Sequence, residues 1–363
     1  MIETYNMPRT FKAPPNLKGL FAGSGSDGLN EPQLTNAILD LVGDKAHPNI
    51  LYLGTATYDL PGPRLRQTER FLEAGCTVTS LDVAAETTTM QSGWKSFVEA
   101  GCTVRSLDIV SSAPEDMAAA MESADVVVVS GGNTLYAVDR FKRLGLHELL
   151  RSAMNRGVVL TGGSAGAICW FDGGHSDSMD PDSFKPVMLA EADNGGDESS
   201  AAPSSDQDKK PWEYIRVDGL GFLPGIVCPH HDKIQSNGVL RAIDFDTMLL
   251  DHPNEVGIGI DHWAALEVNQ GRFRVVSLEG KEGSVLPNKT FSPERRGVPG
   301  VWLKEVGDDG RVHSKLCPES GHISDLIRVP VEINHDPRVE VCRELNPDDA
   351  PVPVLLSAVV GSV

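Results

Sequence analysis

Ser164 is the residue whose setting speaks most directly of chemistry. It stands in Val158-Val-Leu-Thr-Gly-Gly-Ser-Ala-Gly-Ala-Ile-Cys-Trp, where an apolar run enters Gly162-Gly163-Ser164-Ala165-Gly166 and a helix-compatible stretch leaves it. This is a G-x-S-x-G pattern with the preceding strand and following helix that a nucleophile elbow requires. Such a turn puts the serine in a strained conformation and exposes its hydroxyl at the carboxyl end of a strand. The backbone N–H of Ala165, at the helix start, then faces any oxyanion formed there. The same glycines could instead form a phosphate-binding turn or simply reverse the chain.

A second glycine turn, Val128-Val-Ser-Gly131-Gly132-Asn133-Thr134, also follows an apolar run and precedes a helical stretch, with Asn133 or Thr134 as its N-cap. Ligand sites in open α/β sheets gather at the carboxyl ends of strands, so the Gly132 amide is the natural second oxyanion donor. A nucleophilic serine also needs a base. Gly225-Ile-Val-Cys-Pro-His-His-Asp ends a short strand in His230 and His231, and Pro229 fixes the backbone just before His230. His230, His231 and Asp232 could alternatively belong to a metal site, but no H-x-E or H-x-x-x-H spacing accompanies them.

Together, Gly131-Gly-Asn-Thr, Gly162-Gly-Ser-Ala-Gly-Ala, His175-Ser-Asp-Ser and Cys228-Pro-His-His-Asp resemble, in order, the peptidase E (α-aspartyl dipeptidase) and cyanophycinase family. These are serine hydrolases on a glutamine-amidotransferase-like α/β fold, and the likeness covers roughly residues 17 to 280. It implies Ser164 as nucleophile, His230 as base, and the Gly132 and Ala165 amides as oxyanion hole. For the third triad member it offers Asp177, which matches an aspartate after the elbow, or Asp261, beside the segment that carries a glutamate elsewhere in the family. In this chain the aligned position is His262. In an extended segment Asp261 and His262 point to opposite faces, so they cannot both orient His230. Asn133 and Arg241 are the candidates for holding substrate. The spacing of Arg241 departs from that of the arginine with which the dipeptidases hold an N-terminal aspartate side chain.

The resemblance implies hydrolysis of small peptides or amides by an acyl-enzyme route, with no metal or organic cofactor. A non-peptide amidase and a catalytically silent scaffold on the same fold are the alternatives. Glutamine amidotransferase chemistry would need cysteine at the elbow, and Cys169 lies beyond it.

These residues must be positioned by an α/β architecture. The runs at 49–54, 124–130, 157–161, 225–228 and 256–260 are apolar on both faces, which suits a mostly parallel sheet covered by helices on each side. Helices are expected at 33–41, 64–74, 114–121, 134–143 and 241–250. The segments 264–269 and 271–277, joined at Asn-Gln-Gly, read as a hairpin closing the sheet edge. Phe71-Leu-Glu-Ala-Gly-Cys-Thr-Val-Thr-Ser-Leu-Asp-Val recurs as Phe97-Val-Glu-Ala-Gly-Cys-Thr-Val-Arg-Ser-Leu-Asp-Ile. Two copies fall short of a solenoid. They read as a duplicated helix-turn-strand unit, one of them extra to the sheet or without a place in it. The expected organisation is one hydrolytic domain over 1–281, with a flexible loop at 193–210, followed by an extension over 282–363 of unassigned role.

The formal charge of −19, from 32 basic and 51 acidic residues, opposes binding to nucleic acid or anionic membrane, since both are polyanions. The six cysteines are scattered without a CxxC pair, and the start of the chain has no secretory signature, so a reducing, cytoplasmic setting is expected. Asn288-Lys-Thr is a chance match to a glycosylation sequon on that reading. No apolar run approaches the roughly 20 residues of a membrane helix. The expected partner is a small peptide substrate; composition does not fix the oligomeric state.

Overall fold

A computed structural model describes residues 9–84, 94–109, 111–193, 211–285 and 297–349. The expected loop falls largely outside these residues, at 194–210, and Asn288 lies outside them too.

Along the chain the strands are β1 (Arg9–Thr10), β2 (Lys18–Ala22), β3 (Asn49–Leu53), β4 (Thr77–Asp82), β5 (Val104–Asp108), β6 (Val126–Val129), β7 (Val159–Gly163) and β8 (Phe171–Ser176). There follow β9 (Ile215–Asp218), β10 (Leu223–Cys228), β11 (Gly257–Ile260), β12 (Ala264–Asn269), β13 (Arg272–Ser277), β14 (Val301–Val306), β15 (Val312–Leu316), β16 (Ser320–His322) and β17 (Arg328–Val329). Nine of them form one sheet in the order β16-β13-β12-β2-β7-β6-β3-β4-β5. Its β2 to β5 side is wholly parallel. A second, six-stranded sheet runs β15-β14-β11-β10-β8-β9, with β8, β10 and β11 parallel at its centre.

The expected α/β class is therefore the observed one, divided between two sheets. The strands at 225–228 and 256–260 belong to the second sheet. Every residue of β6 is buried, because helices cover both faces; this is why its four valines show no alternation. Prolines open the helices Pro32–Val42, Pro61–Glu73 and Pro114–Ser123, where a missing N–H costs nothing.

The hairpin forms as its turn residues dictate. Asn269 pairs with Arg272, and the two residues between them, Gln270 and Gly271, have φ of 48° and 81°. It lies against β2 at the antiparallel end of the nine-stranded sheet.

Both copies of the duplicated unit have a place. β4 and β5 pair in register, Val78 with Val104 through Asp82 with Asp108, so equivalent residues of the two copies sit side by side. The same local bond closes each helix: Cys76 N–H donates to Phe71 O and Cys102 N–H to Phe97 O, both at 2.9 Å. The second copy supplies the sheet's edge strand and is the more exposed of the two.

Described residues beyond 282 contribute strands to both sheets. β14 pairs antiparallel with β11, β15 extends it, and β16 caps the hairpin strand β13. The helix Arg338–Leu345 packs back near the elbow side, where Cys342 Sγ donates to Ser178 O at 3.1 Å. No helix among the described residues is long and apolar enough to cross a membrane.

Candidate active site

The carboxyl ends of β2, β7 and β6 in one sheet meet those of β10 and β11 in the other, and the candidate residues follow these five strands. The segment just after β2 joins them. Ser164 N–H donates to Ala22 O at 3.2 Å and His230 N–H to Gly23 O at 2.9 Å, so successive carbonyls of one strand end hold the nucleophile candidate and the base candidate.

Ser164 has φ 55° and ψ −120°, the strained conformation the elbow sequence predicts. The carbonyl of Ser164 accepts from Ala167 and Ile168 at 3.0 and 3.2 Å, which locks the start of the short helix Ala165–Ile168. Residue 163 must be glycine, because a Cβ there would lie 1.9 Å from Ser24 O. His230 also has positive φ, 47°. Two non-glycine residues in this region cost about 1–3 kcal/mol each, so the surrounding packing is holding both in place.

Gly131 lies against the nucleophile: a Cβ on it would be 3.5 Å from Ser164 Cβ. The next residue, Gly132, has φ 121°, and a Cβ there would meet Ala56 O at 2.2 Å, so only glycine permits this turn. The N–H groups of Gly132 and Ala165 donate to no acceptor among the described residues. Asn133 is the N-cap: its Oδ1 accepts from Tyr136 N–H at 3.1 Å, while Nδ2 donates to Ser178 O at 3.2 Å and Ser183 Oγ at 2.9 Å. Its side chain is buried and occupied by these bonds rather than turned to a substrate.

The acid position departs from expectation. His230 Nδ1 faces His262 Nδ1 at 2.8 Å, and His262 Nε2 faces Asp27 Oδ2 at 3.1 Å. The aligned histidine takes the place expected for a carboxylate, with Asp27 behind it. Neither Asp177 nor Asp261 hydrogen-bonds to His230. Asp261 projects from the other face of the strand end, as alternation requires. It bonds His231 Nδ1 at 3.0 Å, Gly300 N–H at 3.0 Å and Trp302 Nε1 at 3.4 Å. Asp177 pairs with Arg241 Nη1 at 3.1 Å.

Arg241 itself is fully buried, donating also to His175 O and lying over the Tyr214 ring at 4.9 Å. A guanidinium so engaged is a structural cation, not one held out to a ligand. The three residues weighed as a metal site diverge as well: His230 meets His262, His231 meets Asp261, and Asp232 Oδ1 accepts from His262 N–H at 2.8 Å.

Electrostatics follow from burial. Desolvation, with His262, Arg241 and Lys233 nearby, holds the His230 pKa well below its ordinary value. His262 is also lowered, chiefly by burial, although Asp27 opposes the shift. The hydrogen bond from His262 holds Asp27 below the usual carboxylate range. Cys169, which caps the end of the short helix after the elbow, is buried and its thiol is pushed up to about 12, which suits a packed side chain rather than a nucleophile. Cys228 Sγ lies 3.8 Å from His175 Nδ1, and His175 Nε2 lies 2.8 Å from Asp244, a Cys-His-Asp chain in form. Burial pushes that thiol up to about 12 too, so this group is part of the core.

Sequence reasoning missed Ser24 and Asp27. Ser24 Oγ donates to His262 O at 2.7 Å, so the His262 backbone is clamped from both sides. The only trace of this in the sequence was the aligned position of His262; Gly23-Ser-Gly-Ser-Asp reads as an ordinary turn.

Comparison with known proteins bears on this geometry. Residues 84–192, which include the elbow, match the model of peptidase family S51. A Trypanosoma brucei brucei protein named G2/mitotic-specific cyclin-1 is 29% identical over 323 residues, covering 86% of this chain and 88% of that one. A Bacillus subtilis (strain 168) protein named uncharacterized peptidase YgaJ is 30% identical over 163 residues, or 45% of this chain and 55% of that one. The chain thus matches about half the length of YgaJ. The crystal structure of a peptidase from an acI-B1 Actinobacterium aligns with 84% of this chain and 96% of its own, at 16% identity and a TM-score of 0.47.

Proposed function

We propose that this chain, whose residues 84–192 match the model of peptidase family S51, is a serine-type peptidase of the peptidase E type that cleaves small peptides or amides through an acyl-enzyme. The observation that carries this reading is the elbow conformation of Ser164, φ 55°, held with His230 on successive carbonyls of one strand end, while His230 Nδ1 is engaged by His262.

Ser164 Oγ attacks the scissile carbonyl while His230 Nε2 takes its proton. The amides of Gly132 and Ala165 donate to the resulting oxyanion. His230 then protonates the amine nitrogen as the C–N bond breaks, and a water, giving its proton to His230, attacks the ester; the C–O bond breaks, the acid leaves and His230 returns the proton to Ser164 Oγ. The Ser164 and His230 side chains are not hydrogen-bonded to each other among the described residues. Catalytic bonds of this kind often tighten only when substrate is bound.

Asn133 is occupied by its cap and loop bonds, and Arg241 is fully buried with its Nη atoms on Asp177 and His175 O, so an Asp-Xaa preference has no exposed anchor in Arg241. The test is hydrolysis of a panel of fluorogenic dipeptides and amides by the purified protein and by Ser164→Ala. Turnover by the wild type and its loss in the variant, on the order of 10⁴-fold with folding intact, supports the reading. No turnover on any member, or an active alanine variant, points instead to a silent scaffold or a different nucleophile.

A further inference from the structure

We infer that Asp27 is a positioning residue for this reaction, setting through His262 the tautomer in which His230 can act as a base. The inference rests on the serine-histidine reading above and adds a fourth member to it.

The proton bookkeeping leaves one arrangement. A neutral imidazole has one N–H and one lone pair. For His230 to take the Ser164 proton its Nε2 must be bare, so its proton is on Nδ1. That N–H points at His262 Nδ1, 2.8 Å away, which must therefore be bare as well. The His262 proton is then on Nε2, which faces Asp27 Oδ2 at 3.1 Å. An ionised carboxylate only accepts, so Asp27 selects this arrangement over its mirror. In the mirror arrangement His262 donates from Nδ1, His230 carries its proton on Nε2, and the base is disabled.

The surroundings keep each member in its role. Asp27 is held ionised by the hydrogen bond from His262, with Lys233 and Arg66 facing it as well. His262 faces Asp27, Lys233 and Asp232, and His230 faces His262, Arg241 and Lys233. Ser24 and Asp232 fix the His262 backbone at 2.7 and 2.8 Å, which anchors the point from which its ring reaches both partners. The Asp27 side chain is 63% exposed, and screening by water makes its influence smaller than that of a buried triad acid.

The experiment compares four proteins: wild type, Asp27→Ala, His262→Glu and the double variant. Asp27→Ala is expected to lower kcat about tenfold with KM nearly unchanged, well short of the roughly 10⁴-fold loss seen when a buried triad acid is neutralised. A glutamate at 262 accepts from His230 Nδ1–H directly, so in that background removing Asp27 is expected to change kcat by less than about twofold. Equal losses in both backgrounds, or no loss in either, overturn the proposal. Selective ¹⁵N labelling of histidine gives a readout independent of activity. The wild type is expected to show His262 protonated on Nε2 and His230 on Nδ1, and Asp27→Ala to shift both signals toward the opposite tautomers. An unchanged His262 signal overturns the proposal even where the glutamate variant fails to fold. Failure of the underlying reading is seen separately, as continued hydrolysis by Ser164→Ala.

Discussion

His230 and His262 face each other through their Nδ1 atoms at 2.8 Å, so one imidazole orients the other where a carboxylate was expected. Two neutral rings can share only one proton across that contact. The pair is therefore competent as a base only while His262 stays uncharged, and its burial favours the uncharged form.

Replacing His262 by alanine removes the acceptor for His230 Nδ1–H but leaves the nucleophile and oxyanion donors in place. Turnover is expected to fall on the order of 10²-fold with KM within a few-fold of wild type, less than the roughly 10⁴-fold loss when a triad's orienting carboxylate is neutralised, because a neutral ring orients His230 without a full charge. Steady-state kinetics on the best substrate checks this; an unchanged kcat removes His262 from the mechanism.

The pH profile follows from the direction of the His230 shift. A base acts when neutral, and burial together with His262, Arg241 and Lys233 lowers its pKa. The acid limb of kcat/KM is therefore expected at a midpoint below ~6.5, the ordinary histidine value, with a plateau through neutrality. A midpoint above 7 in a chemistry-limited reaction contradicts the assignment.

Asp177 is engaged by Arg241, so Asp177→Asn is expected to act on stability and not on the chemical step. The Arg241 guanidinium is buried while the carboxylate is partly exposed, and losing the charge is expected to cost about 1 kcal/mol in denaturant unfolding. kcat is expected to remain within about twofold; a hundredfold loss restores Asp177 as the triad acid.

Asp261 ties the strand end that carries His262 to the region beyond residue 282, through Gly300, Trp302 and Ser284. Burial pushes its carboxyl up to about 7. Asp261→Ala orphans those donors and is expected to destabilise the protein by about 2–4 kcal/mol. Its effect on kcat, measured below the unfolding transition, is expected to be smaller than that of His262→Ala. Wild-type stability in this variant rules out the anchoring role.

Local signals carried far in this sequence. The apolar run before Gly162, the helix-ready stretch after Ala165 and the Asn-Gln-Gly turn each specify a conformation within a few residues, and each is found in place. What the sequence did not reveal was set by long-range pairing. Asp27 and His262 are 235 residues apart, and nothing about an aspartate in a glycine-serine turn marks it as facing a histidine. The acid went astray for a related reason: at a strand end, Asp261 and His262 are equally near His230 in sequence, and only the pleat decides which faces it. Asp177 matched a motif whose surroundings include a buried arginine that claims its charge. The short strands β14 to β16 were hidden among prolines, glycines and charges, because their pairing comes from partners already in the sheets and not from their own periodicity.

An activated nucleophile at Ser164 would react with a fluorophosphonate probe, and mapping of the modified peptide locates the adduct. A single adduct on Ser164 is expected, absent in Ser164→Ala and formed more slowly in His230→Ala. An intact wild-type protein that takes up no probe, or takes it up at a residue other than Ser164, contradicts it.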